Sequence, residues 1–472
     1  MLRVMVIAIL LTAANDCEAY HQVGFVPTTE KLEETRTEHF HIIFQESLRT
    51  AVPYLAEQCE EAYRTLTPIL GWYPQEEIEV LFIDAFDTHN GWATTIPHNR
   101  MAIYAAGAEP GSSIFQPGNY LRRTVYHELT HVLSMDMRYG YNRALSGLFG
   151  KMLPVNDDPL SVLLFYFSAS PVVLAPTWYL EGIAIWAETE FAPPGRGKAS
   201  IPDMIFRCAT REGRLLPYSR WDLDIPYWPY GLGAYLYGMK LTQYIYETSP
   251  AEEPVGELTE SIAQAFMFNF DSRSVKSTGK RFKGLVWDML RREKETQKQN
   301  IEELRKLAPT KVPRLTDREM IVSQPVFLGN KIYFSAQEEE ARDSLYVYDT
   351  EEKKTQKIAH ARTTAAFGSL SASPDSRYLY YTALEVQQKD NYWYEVRRFD
   401  TESQTDTLVT DSGRYRALDI SPDGENMVAV SMRGGKSFLL QVPLDKAGDQ
   451  DKERVLASAP LQQSLGCPRY SP

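Results

Sequence analysis

The chain has 472 residues, of which 43% are hydrophobic and 24% charged. This is the composition of a soluble globular protein, and the length implies two or three domains. The formal net charge of -12 argues against nucleic acid as a partner, because phosphates would be repelled.

Residues 1–19 read as a signal peptide. Arg3 supplies the positive start, Val4 to Leu11 the short apolar run, and Ala14 or Ala19 a small-residue cleavage site. The run is too short to span a bilayer. A secreted or periplasmic location follows. Cys17, Cys59, Cys208 and Cys467 show no C-x-x-C spacing, which excludes a zinc knuckle. A Cys59–Cys208 disulfide and buried free thiols both stay open.

Residues 30–110 read as an α/β lobe. Strands are expected at Phe40-His41-Ile42-Ile43-Phe44, at Ile78 to Ile83 and at Met101 to Tyr104. A helix is expected from near Pro53 to just before Gly71. His39, His41, His89 and His98 read as strand or loop histidines rather than metal ligands.

The most informative stretch is Tyr126-His127-Glu128-Leu129-Thr130-His131, an H-E-x-x-H motif. On a helix, positions i and i+4 share a face, so His127 and His131 can turn toward one metal ion. Glu128 stands next to the first of them, within reach of a water that the metal activates. Leu121, Val125, Leu129, Val132 and Leu133 follow the 3.6-residue period and bury one side of the helix. Pro117-Gly118-Asn119 offers the start, with Asn119 as N-cap. A solvated surface helix would leave this apolar periodicity unexplained.

A site of this type needs a third protein ligand. The segment Pro176-Thr177-Trp178-Tyr179-Leu180-Glu181-Gly182-Ile183-Ala184 starts like a helix, and Gly182 and Ala184 let a neighbour approach closely. H-E-L-T-H followed by W-Y-L-E-G-I-A resembles the gluzincin zinc peptidases of the peptidase MA-like group. That resemblance implies one Zn2+ ion held by His127, His131 and Glu181, with Glu128 as general base. It also implies an edge strand beside the cleft, about Trp92 to Tyr104, that pairs with an extended polypeptide substrate. The aminopeptidase branch carries G-x-M-E-N, where this chain has Gly91-Trp92-Ala93-Thr94-Thr95. Cleavage within a chain is therefore favoured.

Forty-nine residues separate His131 from Glu181. Leu160 to Ala175 is strongly apolar and is interrupted by Pro171. It reads as a core helix or packed insertion, with a cover over the cleft or a membrane-touching surface as the alternatives. Glu188, two turns after Glu181, is the second carboxylate able to face the metal, or to orient a histidine through its free ring N–H. Further on, Tyr230 with Gly233 matches the Y-x-x-G pattern of the resemblance, which implies a hydroxyl that stabilises the oxyanion. Tyr235 and Tyr237 are rivals for that role.

After Pro309 and Pro313 the pattern changes to short alternating strands. Ser373-Pro374-Asp375-Ser376 and Ser421-Pro422-Asp423-Gly424 recur 48 residues apart, a period in the range of propeller blades. These repeats resemble TolB-like, WD-type propellers. Three blades and the opening of a fourth at Ser471-Pro472 predict an incomplete propeller or a fragment.

The expected protein is thus α+β: a signal peptide (1–19), a zinc metallopeptidase domain (20–312) and all-β propeller-like repeats (313–472). The propeller offers a surface for a protein partner. A binding protein with a structural zinc site, and a zinc hydrolase acting on a non-peptide bond, are the competing functions.

Overall fold

The computed structural model describes residues 30–107, 118–151, 158–225, 229–265, 269–308, 310, 312–316, 320–323, 325–338, 343–360, 369–387 and 391–471. The expected signal peptide, Cys17, Pro117, Pro309 and Pro472 lie outside them.

Five strands form the first sheet: β1 (Leu32–Arg36), β2 (Phe40–Gln45), β3 (Ile78–Ile83), β4 (Gly91–Thr94) and β5 (Arg100–Tyr104). Their order is β1-β2-β3-β5-β4. The inner strands β2, β3 and β5 run parallel, while β1 and β4 are antiparallel edges. Phe40, Ile42 and Phe44 on β2, and Ile78, Val80 and Phe82 on β3, turn one face into the core. Helix α1 (Val52–Leu70) connects β2 to its parallel neighbour β3 and covers that face with Leu55, Cys59, Ala62, Leu66 and Leu70. It ends at Gly71, whose φ of 66° is the left-handed stop that glycine makes cheaply.

Helix α2 (Tyr120–Asp136) packs against α1. The Asn119 side chain accepts the Arg122 N–H at 3.3 Å, which caps its first turn. Helices α3 (Gly140–Phe149) and α4 (Pro159–Ser168) lean on each other. The sequence pattern suggested a core position for the apolar stretch now seen as α4. In the structure only Ser161 and Ser168 of that helix are buried, and Leu160, Leu163 and Leu164 face solvent. Apolar periodicity sets which residues want cover but does not supply a neighbour to provide it.

Helix α5 (Thr177–Phe191) crosses α2 and packs most closely on α7 (Gly233–Thr248); α6 (Ser200–Glu212) lies between them in sequence. Helix α8 (Pro254–Ala263), two short turns and the long α9 (Phe282–Lys306) complete the helical layer. Cys59 and Cys208 are free rather than bridged, and burial pushes the Cys59 thiol up.

Beyond α9 the described residues turn to strands. Three antiparallel sheets follow: β6 to β10 (Met320–Val322, Val326–Leu328, Lys331–Glu338, Ser344–Asp349, Lys354–His360), β11 to β14 (Leu370–Ala372, Tyr378–Gln387, Asn391–Asp400, Asp406–Leu408) and β15 to β18 (Tyr415–Ile420, Asn426–Arg433, Lys436–Pro443, Arg454–Ser458). Each is an up-and-down unit of the kind that makes a propeller blade. Among the described residues the three sheets stand in series and do not close into a ring. The second and third are stitched together. Ser369 Oγ donates to Leu418 O at 2.9 Å, and Ser371 Oγ to Asp419 Oδ1 at 2.8 Å.

The repeated Ser-Pro-Asp motif does not open a blade, as its spacing suggested. It forms the turn between the first and second strands. In one copy the Tyr378 N–H donates to Ser373 Oγ at 2.9 Å; in the other the Asn426 N–H donates to Ser421 Oγ at 3.0 Å. The Asp375 and Asp423 carboxylates accept N–H groups two residues on.

Candidate metal centre

Helix α2 carries His127 and His131 on the face it turns toward α5, and both rings are buried. Glu181 reaches them from α5. Its place is set by the crossing of α5 and α7. A Cβ on Gly182 would stand 2.6 Å from Gly238 O, and one on Gly238 would stand 1.9 Å from Trp178 O. Only paired glycines let two backbones approach this closely. Trp178 and Ile185, both buried, hold the helix in that rotation.

Three atoms converge. His127 Nε2 lies 3.2 Å from His131 Nε2; Glu181 Oε2 lies 3.3 Å from the first and 3.7 Å from the second. Four-coordinate zinc with bonds of about 2.0–2.2 Å puts its ligand atoms about 3.3–3.5 Å apart, so the donor set fits zinc in type and spacing. Glu181 Oε2 is also a buried oxygen that no well-aligned hydrogen bond satisfies, which is the state expected of a ligand atom. Burial opposes ionisation of Glu181, yet the His127 and His131 rings hold its carboxyl well below the usual range.

Behind His127 stands Glu188. Its Oε2 lies 3.2 Å from His127 Nδ1, while Arg196 grips both its oxygens at 2.7 Å. Burial works against a charged Glu188, but Arg196 keeps it ionised. Arg196 Nη2 also lies 2.8 Å from His127 Nδ1. That contact is a hydrogen bond only if Nδ1 lacks a proton. Ligation through Nε2 puts the ring proton on Nδ1, where Glu188 is the acceptor, so the two arrangements exclude each other. Burial and Arg196 lower the proton affinity of His127, but Glu181 and Glu188 outweigh them and raise it to about 9.

The cluster lines a cleft of about 640 Å³. Glu128 lies in the same cleft, and burial raises its proton affinity against the opposing pull of His127 and His131. One wall is β4, the edge of the first sheet. A Cβ on Gly91 would stand 2.6 Å from Glu128 Oε1, so the strand lies directly against this carboxylate.

Tyr235, in the first turn of α7, also lines the cleft. The charge of Glu181, then burial, keeps its hydroxyl protonated. Tyr230 sits in a short turn with φ 57° and is not among the lining residues, and the Tyr237 hydroxyl accepts the Leu216 N–H at 2.7 Å and is not among them either. Of the three tyrosines weighed from sequence, the geometry brings Tyr235 to the cluster. Arg196 was not foreseen; its sequence signal is only a basic residue in a Pro-Pro-Gly turn. A second group, Glu38, His39 and Glu60, lies at the surface.

No protein-family profile matches the chain, and no curated protein does. Solved structures similar to it are β-propeller proteins. TolB from Acinetobacter baumannii is 15% identical, with a TM-score of 0.26 over 32% of this chain and 36% of its own. The β-propeller domain of the Trilobed protease from Pyrococcus furiosus is 12% identical, with a TM-score of 0.22 over 30% of this chain and 42% of its own. The chain thus spans well under half the length of each.

Proposed function

We propose that this protein is a zinc-dependent peptidase of the gluzincin type that cleaves within polypeptide chains. The observation that carries the reading is the convergence of His127 Nε2, His131 Nε2 and the unsatisfied Glu181 Oε2 beside a buried carboxylate in one cleft. Zinc, when bound, supplies the Lewis acidity that activates water and polarises the scissile carbonyl.

The rest of the chemistry belongs to the chain. Glu128, whose proton affinity burial raises, takes the proton of the attacking water and returns it to the leaving nitrogen. Tyr235, protonated beside Glu181, donates its hydroxyl to the developing oxyanion; Tyr230, the better match to the Y-x-x-G pattern, is the residue to compare with it. The β4 edge aligns an extended substrate by backbone pairing. Glu188 fixes the ring of His127. The C-terminal sheets present a surface for a protein partner, and the apolar segment at residues 4–11 supports export.

The test is Glu128→Gln in the full chain. Zinc should stay near one equivalent by metal analysis, while casein hydrolysis falls by at least about 100-fold. Unchanged turnover with normal zinc would remove Glu128 from the mechanism.

A further inference from the structure

The loop that leads into the cleft wall is held from the other end of the chain. Asp84 and Asp87 follow β3 directly, and His89, Asn90 and Gly91, which come next, line the cleft. Arg414, at the start of the third C-terminal sheet, is buried between these two carboxylates. Its Nε and Nη2 donate to Asp87 Oδ1 at 3.0 and 2.6 Å, and Nη2 also donates to Asp84 Oδ1 at 2.9 Å. Asp87 Oδ2 accepts the Tyr394 N–H at 2.9 Å. The backbone joins in. Asp87 N–H donates to Tyr392 O at 2.9 Å, and Tyr392 N–H donates to Ala85 O at 2.8 Å, so Phe86 forms a single parallel β-bridge with Tyr392 of β13.

The contact continues into the wall. The Tyr392 ring stacks on Phe86 at 5.7 Å, and Phe86 stacks on Tyr104 of β5 at 4.8 Å. Trp92 of β4 packs on the same apolar cluster. Asn90 O, one residue before β4, accepts the Tyr104 N–H at 3.1 Å and the Tyr120 hydroxyl at 2.8 Å. A path of direct contacts therefore runs from the second and third C-terminal sheets to the strand that touches Glu128.

We infer that the C-terminal sheets position the cleft's edge strand, with Arg414 as the positioning residue and the Asp84–Asp87 corner as the point it holds. Two carboxylates buried in one corner are costly to hold together without a fixed cation. Arg414 meets both with one planar fork, which a lysine cannot do. The sheets thus complete the substrate-binding half of the cleft while leaving the metal ligands, on α2 and α5, to the helical layer. The effect on substrate rests on the peptidase reading; the effect on the strand does not.

The test uses the full chain with Arg414→Met, and Tyr392→Ala as a milder variant that keeps the backbone pairing. Amide hydrogen exchange over residues 88–94 should quicken by about tenfold or more, the equivalent of ~1.4 kcal/mol. Exchange over residues 120–136 and bound zinc should stay as in the unaltered protein. With a peptide substrate, KM should rise by about tenfold while kcat changes little, because uniform binding is what is lost. Unchanged exchange over 88–94 in both variants would overturn the inference, as would equal quickening over 120–136, the sign of general destabilisation. If the unaltered protein cleaves no peptide, the peptidase reading fails, and the exchange measurement still decides the positioning role.

Discussion

The helical layer and the C-terminal sheets spend buried charge in different ways. In the first, Glu128, His127, His131, Glu181, Glu188 and Arg196 crowd around one point, and one oxygen among them stays unsatisfied. In the second, the two Ser-Pro-Asp turns, and Glu395 accepting from Thr410, Gly413 and Arg414, are local devices that satisfy their own buried groups. A cluster that leaves a lone pair open has room for a ligand, whereas one that satisfies itself holds only shape. Change at the metal cluster should therefore cost chemistry, and change in these self-contained devices of the sheets should cost stability alone.

The sharpest way to break this contrast is at the two carboxylates of α5. Glu181→Ala should abolish tight zinc binding, while Glu188→Ala should weaken it by about 10–100-fold, both read by competition with a chromogenic chelator. The reverse order would move the ligand to Glu188. In the sheets, the expected effect is one of pH. Burial raises the Glu395 carboxyl from its ordinary 4.5 to about 6, so the native state holds that proton more tightly than the unfolded chain. The stabilisation is complete below 4.5 and is lost as pH rises through 6, a difference of ~2 kcal/mol. Urea unfolding at several pH values should show Glu395→Gln lacking that slope relative to the unaltered protein, with zinc binding intact. The smallest effect belongs to the turns. Ser373→Ala and Ser421→Ala should each cost about 1–2 kcal/mol, equally and without loss of zinc, because the same hydroxyl does the same work in each. A loss of zinc in either serine variant would erase the distinction between the regions.

How far the site could be read from sequence depended on how far apart its parts lie. His127 and His131 sit one turn apart on a single helix, so spacing alone pairs them. Glu181 needed the resemblance, and Gly182 gave it physical support, since a glycine beside a carboxylate in an apolar helix marks a close crossing. The tyrosine that lines the cleft, Tyr235, is a rival of the one the local pattern singled out, because which ring reaches the cluster depends on how the start of α7 packs on α5. The repeat period identified the C-terminal sheets, yet it placed the Ser-Pro-Asp motif at a blade's start when it forms an inner turn. Arg196 folds back on Glu188 through a turn no periodicity describes. Arg414 meets Asp87 across more than 300 residues of chain, and nothing in either local sequence marks the partner. The exposed flank of α4 shows the converse: the residues were read correctly as apolar, but burial is decided by what packs against them.

The paired glycines at the crossing of α5 and α7 act as a mechanical stop for the metal site. A methyl group on Gly238 would meet a carbonyl at 1.9 Å, and relieving that contact means moving one helix by more than an ångström. Metal–ligand bonds tolerate errors of only about 0.2 Å. The distance from Glu181 to the two histidines is therefore not a quantity that drift in the surrounding side chains can tune by degrees; it is either met or forfeited. An engineer wishing to alter what this cleft accepts would leave the crossing alone. The adjustable surface is the opposite wall, where β4 is the edge of the sheet among the described residues and Gly91 is the position held against the carboxylate.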